Sequence, residues 1–436
     1  MSGAPPKLRR VTETKPTVVD LFAGCGGLSL GLEQAGFEPV FVNELNHHAM
    51  ETYLLNRDGA TSVDLRDRDR HVNDVLALSQ EPDALRTLGK MVRQRHGELT
   101  LLAGGPPCQG FSGIGHRRTF ELHKDDIPSN HLYREMARIV EELQPRMFLF
   151  ENVEGLLSSR WFRGQGYKGE IWDEVQAAFA RIGEKRGKHG YTIQWELIFA
   201  RDYGVPQNRP RVLMVGVRKD ISYQRGLSRV AGGFLPDATG NAPDLIDLLG
   251  DLVDPNYIPG VTTETLVYPG DASTRVQRHL RQGAHGHGRG PTKAGRPVTE
   301  MEYSRHSPRV VEKFSYMLAN DGEIHSDHQT KKFAQRVLPA RWPEGRPSIT
   351  ATSLPDDYVH FSQPRTPTVR EWARIQMFPD WYQFAGKRTT GGRRRAGDPD
   401  AGDWSREVPK YTQIGNAVPV ELARAVGLHL LQLAGG

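Results

Sequence analysis

The run Val18-Val19-Asp20-Leu21-Phe22 passes straight into Ala23-Gly24-Cys25-Gly26-Gly27, after which apolar residues recur at Leu28, Leu32 and Ala35. A short apolar run reads as a buried strand, the glycines permit a tight turn, and spacings of three and four mark one face of a helix. The same rhythm returns along the first half of the chain. Gly36 ends the helix, Val40-Phe41-Val42-Asn43 forms a second strand with Glu44 at its carboxyl end, and helical spacing resumes from His47 to Asn56. A charged stretch without clear periodicity leads to a helix over Asp83 to Gln94 and the strand Leu99 to Ala103. Leu132, Met136, Ile139, Val140 and Leu143 give a helix closed by Pro145, and the strand Met147 to Phe150 ends on Glu151. Helix over 170–186 and strands over Thr192 to Ala200 and Arg211 to Val217 complete the series. Strands alternating with helices predict an α/β fold with a doubly wound, mostly parallel, Rossmann-like sheet.

Past residue 220 the alternation stops, and Gly, Pro, Arg and His become frequent until a final helix from Glu421 to Leu433. We therefore expect two domains: residues 16–219 with 410–436 forming the sheet domain, and 220–409 a smaller, irregular one. Residues 1–15 are polar and Pro-containing, which predicts a disordered leader in a cytoplasmic protein. No apolar run approaches the ~20 residues that cross a bilayer, so no membrane is expected. With only Cys25 and Cys108 in 436 residues, a disulfide framework and a cysteine-rich zinc site are both excluded. The net charge of +5 is compatible with a polyanionic partner and decides little by itself.

Chemistry concentrates at the strand ends. Gly104-Gly105-Pro106-Pro107-Cys108-Gln109-Gly110-Phe111-Ser112 places a thiol in a rigid turn where open α/β sheets bind ligands. Taken alone, Cys108 reads as a small buried thiol, and Cys25 as a filler of its glycine turn. Glu44, ending strand two, suits the ribose diol of an adenosine cofactor, without saying which one. Glu151 alone reads as a carboxylate at a strand end. Arg209 and Arg211 share one face of an extended segment, so both guanidinium groups can reach one pocket.

Taken in order, that first turn, Gly-Pro-Pro-Cys-Gln, Glu151-Asn152-Val153, Gln207-Asn208-Arg209-Pro210-Arg211 and Gln413-Ile414-Gly415-Asn416-Ala417-Val418-Pro419 resemble the DNA (cytosine-5)-methyltransferases of bacterial restriction-modification type. The resemblance covers residues 18 to about 217 and 346 to 433. It implies a transferase taking methyl from S-adenosylmethionine to carbon 5 of cytosine in a short duplex DNA sequence, with no metal. By resemblance Cys108 attacks carbon 6, Glu151 grips the ring nitrogen and exocyclic amine, and Arg209 and Arg211 support both. Phe22 stacks on adenine, Gly24 and Gly26 allow close backbone approach, Glu44 binds the ribose, and Pro106 and Asn416 border the cofactor. Asp74 in Asn73-Asp74-Val75 is the adenine-contacting acid, with Asp64 in Val63-Asp64-Leu65 as its rival. The target nucleotide is expected to be flipped out of the duplex, with the basic loop Gly113 to Arg118 closing over the DNA. The interval 220–345, where the resemblance fails, corresponds to the variable region that reads sequence.

Partners expected on this basis are double-stranded DNA and a cognate restriction endonuclease, with the enzyme acting as a monomer. The alternative substrate is transfer RNA, which relatives with a shorter second domain methylate. Exocyclic-amine methyltransferases resemble Asp/Asn-Pro-Pro-Tyr/Phe where this chain has Pro-Pro-Cys. A nicotinamide dehydrogenase would explain the first turn and leave Cys108, Glu151 and the arginines without roles. His285 and His287 lack further ligands nearby in sequence, so no metal is expected there. Lys387 to Arg395 reads as a solvated basic loop.

Overall fold

The computed structural model describes residues 15–107, 128–161, 167–224, 226, 233–240, 242–284, 290–329, 335–343, 347, 355–390 and 407–435. Seven strands form the central sheet: β1 (Thr17–Leu21), β2 (Glu38–Asn43), β3 (His71–Val72), β4 (Leu101–Gly104), β5 (Met147–Val153), β6 (Tyr191–Phe199) and β7 (Pro210–Arg218). Their order is β3-β2-β1-β4-β5-β7-β6. The first five are parallel and β7 is antiparallel to both neighbours. The expected mostly parallel sheet is present, closed at one edge by a hairpin. Strand order reverses between β1 and β4, so the loops leaving these strands diverge and open a crevice at their carboxyl ends. Because β7 runs the other way, its amino end, carrying Arg209 and Arg211, arrives at that same edge.

Side chains alternate across the sheet, as the two-residue period of a strand requires. Val18, Leu101, Ala103, Met147 and Leu149 face one apolar cluster. Val19, Leu21, Leu102, Phe148 and Phe150 face the other. The first side is covered by α1 (Gly27–Ala35) and the last helix, the second by α2 (His47–Leu55), α3 (Val75–Ser79), α4 (Pro82–His96), α5 (Leu132–Leu143) and α6 (Glu170–Ala180). β3 and α3 fall in the charged stretch whose periodicity gave no sequence signal. The helix expected over 170–186 stops at Ala180, because the chain turns at Gly183 with φ 96. A Cβ there would come within 2.3 Å of the Gly190 backbone nitrogen.

The second half contributes short helices: α7 (Lys219–Gln224), α8 (Leu245–Leu249), α9 (Arg275–Leu280), α10 (Pro308–Ala319) and α11 (Val369–Ile375), then α12 (Lys410–Asn416) and α13 (Val420–Ala434). Leu245, Leu248, Trp372, Ile375 and Phe378 belong to the same apolar cluster as α1 and α13. One core therefore joins the sheet to the irregular segment. α1 and α13 pack at backbone distance: a Cβ on Gly31 would lie 2.4 Å from both the Val420 carbonyl oxygen and the Ala423 Cβ. The stretch Lys410–Ala434 is long and apolar enough to cross a membrane by length and composition alone. It is broken between α12 and α13, and α13 buries Leu422, Val426 and Leu430 in the core.

Charge inside the second half is structural. Arg374 is buried between Asp251, at 2.6 Å, and Asp380, at 2.6 Å. Arg281 pairs with Asp251 at 2.7 Å, and Arg365 makes a two-pronged contact with Glu371 at 2.8 and 2.7 Å. These arginines are fully buried and unavailable to an external ligand. His285 and His287 lie outside the described residues, as do residues 391–395 of the basic loop.

Candidate active site at the carboxyl edge of the sheet

The chain leaving β1 turns through Phe22 (φ 56), Gly24 (φ 56) and Gly26 (φ 87), all left-handed. Such a conformation costs a non-glycine residue about 1 kcal/mol or more and persists where surrounding bonds impose it. Here they do. The Phe22 N–H donates to Asn43 Oδ1 at 3.2 Å, the Ala23 N–H to the Asn43 carbonyl at 2.9 Å, and the Gly24 N–H to Glu44 Oε2 at 2.9 Å. Glu44 Oε1 accepts from the Asn46 N–H at 2.7 Å. Desolvation raises the Glu44 carboxyl above the usual range, with the Asn46 and Gly24 amides opposing it. A Cβ on Gly24 would meet nothing within 4 Å, whereas one on Gly26 would strike Arg57, Tyr382 and Tyr53 within 3 Å. The turn is thus closed beneath Gly26 and open beside Gly24 and Glu44, a cradle that fits a nucleoside bearing a ribose diol.

Asn43 also fixes the next strand end, its Nδ2 donating to the Val72 and Asn73 carbonyls at 3.0 and 2.8 Å. Asp74 follows immediately, exposed at the carboxyl end of β3, where it caps α3 by accepting from the Leu76 N–H at 2.9 Å. Asp64 lies upstream of β3, accepting from the Arg66 N–H at 2.9 Å. Of the two acids, Asp74 shares an edge with Glu44.

Across the crevice, β4 exits through Gly105, Pro106 and Pro107. Cys108 and the loop Gly113 to Arg118 lie outside the described residues. A Cβ on Gly105 would lie 2.7 Å from Glu151 Oε2, so glycine lets the strand exit pass over that carboxylate. The Pro106 carbonyl accepts from Asn152 Nδ2 at 3.0 Å. Arg211 Nε lies 2.6 Å from Glu151 Oε1, and Arg209 Nη2 donates to the Gly415 carbonyl at 2.7 Å. Both arginines are buried, and desolvation lowers the pKa of each; for Arg209 the neighbouring Arg211 charge adds to the drop. Asn416, the last residue of α12, is exposed one position beyond Gly415. Cys25, by contrast, is packed away: its thiol donates to the Gln413 carbonyl at 3.4 Å, and burial pushes it up to about 12. It is inert as a nucleophile.

The edge therefore gathers Phe22, Gly24, Gly26, Glu44 and Asp74 on one side, and Pro106, Glu151, Arg209, Arg211 and Asn416 on the other. Sequence reasoning gave no role to Gln207 and missed Gln376. Gln207 Nε2 donates to Gln376 Oε1 at 2.8 Å, and Gln376 Nε2 to the Ile414 carbonyl at 2.7 Å. This amide chain ties the approach to β7 to α11 and α12, and isolated glutamines carry no periodic signal that could reveal it.

Residues 16–432 match the family described as C-5 cytosine-specific DNA methylase. The chain belongs to that family. It is 30% identical over 428 residues to the Type II methyltransferase M.XorII of Xanthomonas oryzae pv. oryzae, covering 96% of this chain and 85% of that protein. It is 29% identical over 422 residues to the Type II methyltransferase M.DdeI of Desulfomicrobium norvegicum, covering 94% and 87%. A crystal structure of a candidate DNA modification methyltransferase encoded within an E. coli prophage superposes with a TM-score of 0.65 at 24% identity, over 96% of this chain and 99% of that one. That likeness shows the fold. The protein is a DNA (cytosine-5)-methyltransferase of the restriction-modification kind, and S-adenosylmethionine is the methyl donor that its family implies.

Proposed function

We propose that this methyltransferase modifies cytosine at one short duplex DNA sequence, acting on a nucleotide flipped out of the helix. The observation that carries the reading is the buried Arg211–Glu151 pair at 2.6 Å, directly under the strand exit that leads to Cys108. Carbon 5 of cytosine is a poor nucleophile until carbon 6 is attacked, and a thiolate makes that attack. The Cys108 sulfur bonds to carbon 6 and electron density moves towards the ring nitrogen, where Glu151 supplies a proton and Arg211 holds the carboxyl group. Carbon 5 is then nucleophilic. S-adenosylmethionine supplies an electrophilic methyl group on a positively charged sulfur. Once carbon 5 carries the methyl, a base removes its ring proton, the Cys108 sulfur leaves to restore the aromatic ring, and the ring nitrogen returns its proton to Glu151. Phe22, Gly24, Gly26, Glu44, Asp74, Pro106 and Asn416 hold the donor, supported by the open side of Gly24 and the desolvated Glu44 carboxyl.

We assign sequence reading to residues 220–345 and closure over the DNA to Gly113–Arg118, both on the resemblance to the family. A partner endonuclease with the same specificity fits the Type II names of the relatives. The test is transfer of labelled methyl from S-adenosylmethionine to duplex DNA and, separately, to transfer RNA, followed by sequencing that locates 5-methylcytosine. Label confined to one short DNA motif is the expected result; label in transfer RNA alone would overturn the substrate assignment.

A further inference from the structure

The turn after β1 is gripped from beneath by residues that the reaction above does not use. The Tyr382 hydroxyl donates to the Cys25 carbonyl at 2.6 Å and accepts from Arg57 Nη1 at 3.3 Å. Arg57 Nη2 donates to the Gly26 carbonyl at 3.3 Å, and Nη1 also to the Tyr53 carbonyl at 2.9 Å. Its Nε donates to Glu33 Oε1 at 2.8 Å, and the guanidinium lies 3.7 Å from the centroid of the Tyr53 ring. Four of the five N–H groups of Arg57 are thereby committed, Nη2 also lies 2.5 Å from Glu33 Oε1, and the group is buried. Tyr382 is equally fixed, its ring centroid 4.8 Å from that of Phe378 and 5.5 Å from that of Phe384. It reaches the turn from the segment after α11, 357 residues along the chain from Cys25.

Carbonyls held in this way fix more than themselves. Each peptide unit is planar, so clamping the Cys25 and Gly26 carbonyls also orients the N–H groups of Gly26 and Gly27. The Gly26 N–H closes the turn on the Ala23 carbonyl at 2.9 Å, and the Gly24 N–H, two residues earlier, aligns Glu44. A path of hydrogen bonds and rigid peptide planes thus runs from Tyr382 through the turn to the carboxylate on the open side. Without the clamp, a turn with three left-handed residues at Phe22, Gly24 and Gly26 would relax towards commoner backbone angles.

We infer that Tyr382 and Arg57 are positioning residues for the methyl donor, clamping the Cys25 and Gly26 carbonyls and so setting the affinity for S-adenosylmethionine. The inference rests on the proposed role of the turn and Glu44 in holding that donor. Tyr382→Phe removes one hydroxyl and keeps the ring; Arg57→Lys keeps a charge for Glu33 but cannot span both the Gly26 carbonyl and Tyr382. Both are compared with the full-length wild type in S-adenosylmethionine titrations without DNA, in steady-state methylation, and in amide hydrogen exchange over residues 20–30. Loss of one such bond is expected to raise the donor Kd and KM about five- to tenfold. At saturating donor, kcat and the KM for DNA stay unchanged, and the turn amides exchange faster. Tyr203→Phe, which removes a hydroxyl bonded at 2.8 Å to the Pro236 carbonyl, controls for stability and should leave donor affinity at the wild-type value. Donor binding by either Tyr382→Phe or Arg57→Lys within twofold of wild type overturns the inference alone. A wild-type protein that does not bind S-adenosylmethionine overturns the donor reading and the inference with it.

Discussion

Arg211 reaches Glu151 at 2.6 Å although its register partner on the neighbouring strand is Val153. The two positions lie on the same face of adjacent antiparallel strands, offset by one two-residue repeat, which is within the span of an arginine. The guanidinium is buried against desolvation that lowers its pKa, with Glu151 opposing the drop. Its position is therefore set by the hairpin that turns β7 against the parallel strands.

Glu151→Gln keeps the size of the side chain but removes the charge paired to Arg211 and the proton-transferring group. Methyl transfer should fall about 100-fold or more, with S-adenosylmethionine affinity within twofold of wild type. Single-turnover methylation and titration calorimetry check the two halves, and a variant with near-normal turnover would remove Glu151 from the chemistry.

Asp20 predicts a pH dependence of stability. It is wholly buried, bonded by the Ser29 hydroxyl at 2.5 Å, and burial pushes its carboxyl up to about 7, with Ser29 opposing. A carboxyl raised in the folded state binds its proton more tightly there than in the unfolded chain. Its stability contribution is therefore fully present below the ordinary carboxylate range and is lost as pH rises towards 7, by on the order of 4 kcal/mol in total. Asp20→Asn should flatten the decline in urea midpoint between pH 5 and 8, and an unchanged slope would contradict the assignment.

Two glycines should separate binding from packing. At Gly24 an added Cβ meets nothing within 4 Å, but φ is +56. Gly24→Ala should cost about 1 kcal/mol of stability and weaken S-adenosylmethionine binding by entering the open side. At Gly31 the added Cβ would collide at 2.4 Å with the Val420 carbonyl, which cannot rotate away. Gly31→Ala should cost about 1–3 kcal/mol, read as a lower urea midpoint and a broader loss of function.

Most strands of the sheet were legible because they carry apolar runs, β6 with polar residues interleaved, and the site residues because they stand at or beside the ends of those runs. β3, with only His71 and Val72, was too short to show any period. The reversed direction of β7 was equally silent, since an isolated apolar run does not say which way it runs. The turn motif displayed Gly24 and Gly26, while Tyr382 and Arg57, which hold it, are separated from it by most of the chain and by α1, β2 and α2 respectively. The resemblance placed DNA reading in 220–345, a stretch rich in arginine, yet Arg281 within it is wholly buried, as are Arg365, Arg370 and Arg374 just beyond it. Composition records charge and says nothing of where it is neutralised.

Arg374 offers the sharpest check on that last point. Its Nη1 meets Asp251 Oδ1 at 2.6 Å and the Leu248 carbonyl at 2.8 Å, while its Nε and Nη2 meet Asp380 at 2.9 and 2.6 Å. Burial alone would lower its pKa, but Asp380 and Asp251 outweigh that and hold it raised; Asp380, which desolvation alone would raise, is held low chiefly by Arg374. Arg374→Met would leave both carboxylates buried with less compensation, at a cost of about 3–5 kcal/mol near neutral pH. Asp251 retains Arg281 at 2.7 Å. Asp380 retains the Tyr268 hydroxyl at 2.7 Å and the Arg370 charge but loses the partner that chiefly holds it low, so desolvation should raise its pKa above its unfolded value. The deficit should then shrink as pH falls from 7.5 to 5.5, because a raised carboxyl regains its proton first in the folded state. Urea unfolding at the two pH values measures this directly. A variant of wild-type stability with weakened, salt-sensitive DNA binding would instead make Arg374 a phosphate contact.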